Sequence, residues 1–198
     1  MTSEENRSFM KDFFERYYEN LKNEAIIFVK GVNIAPEMLA DDADPNEEWN
    51  VWKLYPSVVT ENDFEKIEKK IGIKLPECIK AFFSVYHHRF NTAVGRNDIR
   101  HPFYDLERAY NHHLVENGYL PFGWDEDDYF IRCIDLTDMP DEEKCPIVEI
   151  DHEPFFDLMY DSDEKGMIIP KEELMKLFRP VAGNFYEYLN GVYNGTIN

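Results

Sequence analysis

Tyr119-Leu120-Pro121-Phe122-Gly123-Trp124, followed by Asp125-Glu126-Asp127-Asp128 and then Tyr129-Phe130-Ile131-Arg132-Cys133-Ile134-Asp135, is the stretch on which the fold turns. Here the hydrophobic period changes from helical to two, so Tyr119–Gly123 and Tyr129–Asp135 read as strands around an acidic turn. Downstream, Cys145–Asp151 reads as a third strand, and Phe155–Tyr160 and Met167–Ile169 are candidates for others.

The flanks read as helices. Met10, Phe13, Phe14, Tyr17, Tyr18, Leu21 and Ala25 recur at helical spacing and predict a helix over residues 8–25. Ile26–Val29 either extends it or turns into a short strand. Residues 36–48 lack periodicity and read as an exposed acidic loop, after which Trp49, Val51, Trp52, Leu54 and Tyr55 return the chain to the core. Thr60 and Asp63 make a capping-box variant ahead of Phe64, Ile67 and Ile71, and Gly72 supplies the stop. Pro76 suits the first turn of a helix over 76–86, with Ile79, Phe82, Phe83 and Tyr86 on its buried stripe. Residues 88–103 are irregular. Further helices are expected over 104–116, 171–179 and 184–193.

Charge is concentrated rather than spread. The chain of 198 residues carries a net −19, and between Asp125 and Glu164 sixteen acids face two bases, Arg132 and Lys144. Residues 61–118 balance, at nine acids and nine bases. Local fields of this kind steer basic proteins to a surface. They repel phosphate backbones and anionic lipid surfaces, which argues against direct nucleic-acid or membrane binding. Aromatics at 15% argue for a packed core despite the low mean hydropathy. Cys78, Cys133 and Cys145 form no CxxC and no disulfide framework, and the N-terminus shows no secretory pattern, so a reduced, cytoplasmic setting is expected.

Catalytic patterns are weak. Asp161, Asp163, Gly166 and Glu172 fall at calcium-loop spacing, but Lys165 sits where the third oxygen belongs, and the preceding run reads as a strand. Four consecutive acids at Asp125–Asp128 cannot all converge on one ion. Of six histidines, neither adjacent pair has the i, i+4 spacing of a helix-borne zinc site; His113 reads as a packing residue and His152 as a strand-end hydrogen-bonding one. No nucleophile elbow or phosphate loop is present. The expectation is no catalytic centre, no metal and no cofactor. Instead, Trp124, Asp125, Glu126, Asp127, Asp128, Asp141, Glu142 and Glu143 are the candidate contact residues for a basic partner, aromatic anchors ringed by charge being the composition of a binding hot spot. Trp124, at the turn, is the aromatic expected at the surface; Phe130 and Phe156 are expected in the core.

The order of these motifs resembles the SUKH superfamily, which includes a yeast cell-wall synthesis regulator and many bacterial toxin-immunity proteins. The resemblance rests on Glu68, Ile71, Gly72, Leu75 and Pro76 with Phe82 and Phe83, on Leu120-Pro121-Phe122-Gly123 and Ile134-Asp135, on Val148–Glu153, and on Phe185–Leu189. The Gly-Asp step that often follows Pro-Phe-Gly in that family is replaced by Asp127-Asp128. The resemblance implies an α+β fold, with a central, mostly antiparallel sheet and helices packed around it. It also implies an immunity-type protein neutralising a toxin domain such as a nuclease. A regulatory or scaffold module is the alternative, and a carboxylate-metal hydrolase a third reading. The expected organisation is residues 1–56 as an N-terminal helix and acidic loop packed on a domain of residues 57–198.

Overall fold

The computed structural model of the chain describes residues 2–24, 27–44, 46–90 and 93–197, the side chain of Val32 excepted. Ala25, expected at the helix end, Ile26, expected to extend it or to open a short strand, and Pro45, expected in the acidic loop, lie outside the described residues. Helices and antiparallel sheets give the expected α+β class. The chain divides into two compact units, residues 1–66, 75–90 and 96–104 forming one and residues 67–74, 91–95 and 105–198 the other. Residues 75–90 and 96–104 thus belong to the same unit as the N-terminal helix.

In the first unit, α1 (Ser3–Asn23) starts five residues earlier than its apolar period predicts. Thr2 and Glu5 close a reciprocal capping box, with Thr2 Oγ1 accepting from the Glu5 N–H at 3.3 Å and Glu5 Oε2 accepting from the Thr2 N–H at 2.6 Å. β1 (Phe28–Lys30) pairs antiparallel with β2 (Trp49–Val51), leaving Trp49 54% exposed, so that only Trp52 of the two tryptophans returns to the core. β3 (Tyr55–Pro56) precedes α2 (Glu61–Ile71), whose entry is fixed as expected by Asp63 accepting from the Thr60 N–H and hydroxyl. α3 (Glu77–Val85) packs on α1 and leads into β4 (Tyr86–His87), the antiparallel partner of β3. The core is aromatic: Phe14 meets Phe82, His88 and Phe90 with ring centroids 5.1, 4.8 and 5.9 Å apart, and Trp52 meets Phe90 at 5.2 Å.

In the second unit, the single helix expected over 104–116 is two, α4 (Tyr104–Ala109) and α5 (His112–Glu116). Asn111 breaks the run by capping α5, its Oδ1 accepting from the His113 N–H at 2.9 Å. β5 (Tyr119–Trp124), β6 (Phe130–Asp135) and β7 (Ile147–Asp151) form the predicted antiparallel meander, with a bulge in β5 between Pro121 and Gly123.

The run Phe155–Tyr160 is not a strand. It lies inside α6 (His152–Glu164), which Asp151 caps by accepting from the Glu153 N–H at 2.9 Å. Met167–Ile169 forms no strand either; the fourth strand is β8 (Phe178–Ala182), which follows α7 (Lys171–Leu177) directly. α8 (Phe185–Tyr193) closes the chain. One cluster of Leu114, Tyr119, Ile131, Cys133, Ile150, Phe155, Ile169 and Leu174 joins the sheet to α5, α6 and α7. Arg132, Glu149 and Arg179 are successive cross-strand partners over β6, β7 and β8. Glu149 lies 3.4 Å from Arg132 Nε and 2.9 Å from Arg179 Nη2, and Arg132 also donates to the Tyr188 hydroxyl of α8 at 2.9 Å.

Candidate functional site: the acidic turn of the second unit

The β5–β6 turn is built by its first acid. Asp125 is only 8% exposed, and its Oδ1 accepts from the backbone N–H groups of Tyr129 and Phe130 at 2.6 and 2.7 Å. Its carboxylate therefore closes the turn and offers little to a partner. Asp128 adopts a left-handed φ of 58°, a conformation Asp tolerates better than most residues and Gly best of all. Asp128 itself thus supplies the backbone geometry for which a glycine would serve. Arg108 of α4 holds its carboxylate at 2.9 Å. Glu126, Asp127 and Asp128 are exposed.

Trp124 is half-buried rather than at the surface. It packs against the sheet cluster, with the Arg108 guanidinium 5.1 Å from its ring centroid and the His152 ring at 6.1 Å. Its indole N–H is buried without an acceptor among the described residues. Phe130 and Phe156, expected in the core, are each only partly buried, Phe130 beneath the Arg179 guanidinium at 3.9 Å. His152 hydrogen-bonds the Tyr129 carbonyl through Nδ1 at 2.7 Å, tying α6 to the turn.

The remaining predicted contact residues lie elsewhere. Asp141, Glu142 and Glu143 sit in the β6–β7 connection, at the opposite end of β6 from the turn. Six residues of strand separate the two groups by about 17 Å at the usual rise. Asp141 pairs locally with Lys144 at 2.7 Å, which holds the carboxyl below its ordinary range. The −14 tract is therefore not one surface. The structure brings Trp124 and Asp125–Asp128 together and places Asp141–Glu143 apart from them. Arg108, the organising cation of the turn, is remote in sequence, and no local pattern singles it out.

The calcium-like spacing is dissolved by α6. Asp161 and Asp163 lie in its last turns, so no loop can wrap their oxygens around an ion. Asp163 does meet two histidines, His113 Nε2 at 3.1 Å and His112 Nε2 at 3.5 Å. Yet His113 Nδ1 accepts the Ile169 N–H at 3.2 Å, so in the neutral ring the proton is on Nε2, which donates to Asp163. Burial and the adjacent His112 hold the ring's pKa below its ordinary value against the pull of Asp163, which keeps the ring neutral. The atom facing the carboxylate is a donor, not a metal ligand. The three cysteines are buried, and burial pushes the Cys133 thiol up, as it does that of Cys145 beside several carboxylates. Among the described residues no helix is long and apolar enough to cross a membrane.

The helix–Gly72–Pro76–helix step, the Pro-Phe-Gly strand and the closing helix stand in the order that the resemblance predicts. The sequence model of the SMI1 / KNR4 family (SUKH-1) matches residues 58–191. The chain belongs to that family. A search of curated proteins gives no match. At the level of the family, SUKH-1 membership supports a binding role through protein–protein interaction, of the immunity or regulatory kind. Within the SUKH-1 span, the Asp125 clamp and the Arg108–Asp128 pair are how this member builds its turn.

Proposed function

We propose that this chain is a non-catalytic, cytoplasmic immunity-type protein that neutralises a basic toxin domain, a nuclease being the best match, through the β5–β6 turn. The observation that carries the reading is the rigid presentation of Glu126, Asp127 and Asp128 on a hairpin clamped by Asp125 and flanked by Trp124 and Arg108. A preorganised acidic turn loses little ordering entropy on binding. A nuclease cleft is basic because it must hold phosphate, so it matches such a turn in charge. Asp125 and Trp124 support the turn, and Asp141–Glu143 form a separate acidic patch.

The test compares two triple variants, E126Q/D127N/D128N and D141N/E142Q/E143Q, for binding to the protein encoded by the neighbouring gene. The turn variant is expected to associate roughly tenfold more slowly and with a flatter salt dependence, while the loop variant binds as wild type. An unchanged association rate for the turn variant removes the turn from the interface. Capture of an endogenous signalling protein in place of a toxin would favour the regulatory reading.

A further inference from the structure

A second site of opposite sign lies in the first unit. Residues 89–101 carry Arg89, Arg96, Arg100 and His101 against one acid, Asp98, in a chain whose acids outnumber its bases almost two to one. All five line a single pocket of about 230 Å³, together with Asn33 and Tyr104. The pocket exists because the irregular stretch is stapled. His88 and Asn97 exchange backbone hydrogen bonds at 2.9 and 3.1 Å, so Arg89 and Arg96 are the next residues inside an antiparallel bridge. The staple is itself anchored: the buried Asn97 side chain accepts from His87 Nδ1 at 2.8 Å and donates to the Tyr86 carbonyl at 2.8 Å. A tight turn follows, with the His101 N–H donating to the Asp98 carbonyl at 3.0 Å, and this brings Arg100 and His101 back to the same concavity.

Asp98 orders two of the cations. Its carboxylate, 8% exposed, takes the Arg100 N–H at 2.9 Å and Nε at 3.2 Å, and lies 3.6 Å from Arg89 Nη1. One carboxylate thus meets two guanidiniums, those of Arg100 and Arg89, in a pocket that Arg96 also lines. The planar fork of arginine matches phosphate and carboxylate oxygens in pairs. Screening limits the reach of the protein's overall charge to about 8 Å at physiological salt, so the local guanidiniums set the potential inside the pocket.

We propose that this pocket binds a small anion bearing phosphate or carboxylate groups, with Arg89, Arg96 and Arg100 as its clamp. Its volume is below the roughly 300 Å³ at which drug-sized ligands begin, which suits a compact polyanion. Tyr104, at 52% exposure, offers an aromatic face at the rim for an attached organic portion. The assignment is independent of the acidic turn and stands or falls without it.

Calorimetric titration of the full chain with sodium pyrophosphate and with citrate, each against sodium chloride of matched ionic strength, tests the proposal. Saturable binding of either anion is expected. R96Q and R100Q should each weaken it at least about tenfold, the scale of one lost charge-assisted bond. R100K, which keeps the charge and loses the fork, should weaken it several-fold. Preference for pyrophosphate identifies a phosphate site, and preference for citrate a carboxylate site. Arg100 also pairs with the buried Asp98, so R100Q is titrated well below its melting temperature, and R100K, which keeps a cation beside Asp98, controls for lost stability. Absence of saturable heat from both anions up to about 10 mM, or equal affinity in wild type, R96Q and R100Q, overturns the proposal.

Discussion

His88 sits among Phe14, Phe82 and Phe90 with ring centroids 4.8, 5.4 and 4.7 Å away, fully buried, and neither ring nitrogen has a hydrogen-bond partner among the described residues. An unsatisfied buried polar group of this kind costs about 1–3 kcal/mol. Replacing it in H88F removes that cost, while the slightly larger ring introduces an overpacking cost of about 1–3 kcal/mol. The two nearly cancel at pH 7, so the discriminating quantity is the dependence on pH. Burial first, then the neighbouring charges of His87 and Arg89, hold the His88 pKa well below 6.5 in the folded state.

With a depressed folded pKa, the unfolded chain binds the proton more readily. The stability that neutral His88 contributes is complete above pH 6.5 and is lost as the pH falls from there toward the folded pKa. The loss approaches about 1.4 kcal/mol per pH unit. Between pH 7 and pH 5.5 the wild type should lose about 1 kcal/mol more than H88F. His87 and His113 are depressed as well but titrate in both proteins, so they drop out of the difference. Urea unfolding at half-unit steps measures it. Parallel stability curves over that range, within about 0.3 kcal/mol, would refute the assignment of His88 as a buried neutral ring.

Four further outcomes are expected. E149Q removes the Glu149 carboxylate from beside the buried Arg132 guanidinium and should cost about 3 kcal/mol in urea unfolding, against less than 1 for the exposed E164Q. D125A removes the two side-chain hydrogen bonds across the β5–β6 turn and should cost about 2 kcal/mol, with faster amide exchange at Tyr129 and Phe130; protection equal to wild type would deny Asp125 its role. D128V places a β-branched residue at φ 58° and should destabilise by about 1–2 kcal/mol, while D128G should stay close to wild type. Excess Zn²⁺ should leave the Tm unchanged, because His113 Nε2 carries a proton; a rise in Tm that D163A abolishes would overturn that tautomer.

Wherever the controlling interaction is local, the sequence determined the outcome. Period-two alternation located β5, β6 and β7, and the Thr60–Asp63 pair and Gly72 bounded α2. The capping box at Thr2 and Glu5 escaped notice, because the apolar period alone begins too late to show it. Phe155–Tyr160 misled because a short apolar run suits a strand or a helix equally; the Asp151 cap and the packing of Phe155 under the sheet settled it as helix. β8 escaped notice because Arg179 and Pro180 interrupt its alternation, and only pairing with β7 makes it a strand.

Charge shows the same boundary. The amino-acid order alone determined that acids crowd residues 125–164. Only the tertiary structure decided that six residues of β6 hold Asp125–Asp128 away from Asp141–Glu143, and that Asp125 closes its own turn. It also decided that Arg89, Arg96 and Arg100, scattered through a stretch without periodicity, line one pocket. Sequence distance governs caps, turns and alternation because those interactions reach only a few residues. Which charges share a surface depends on strand direction and on a staple between residues nine apart, and neither is written in any local pattern.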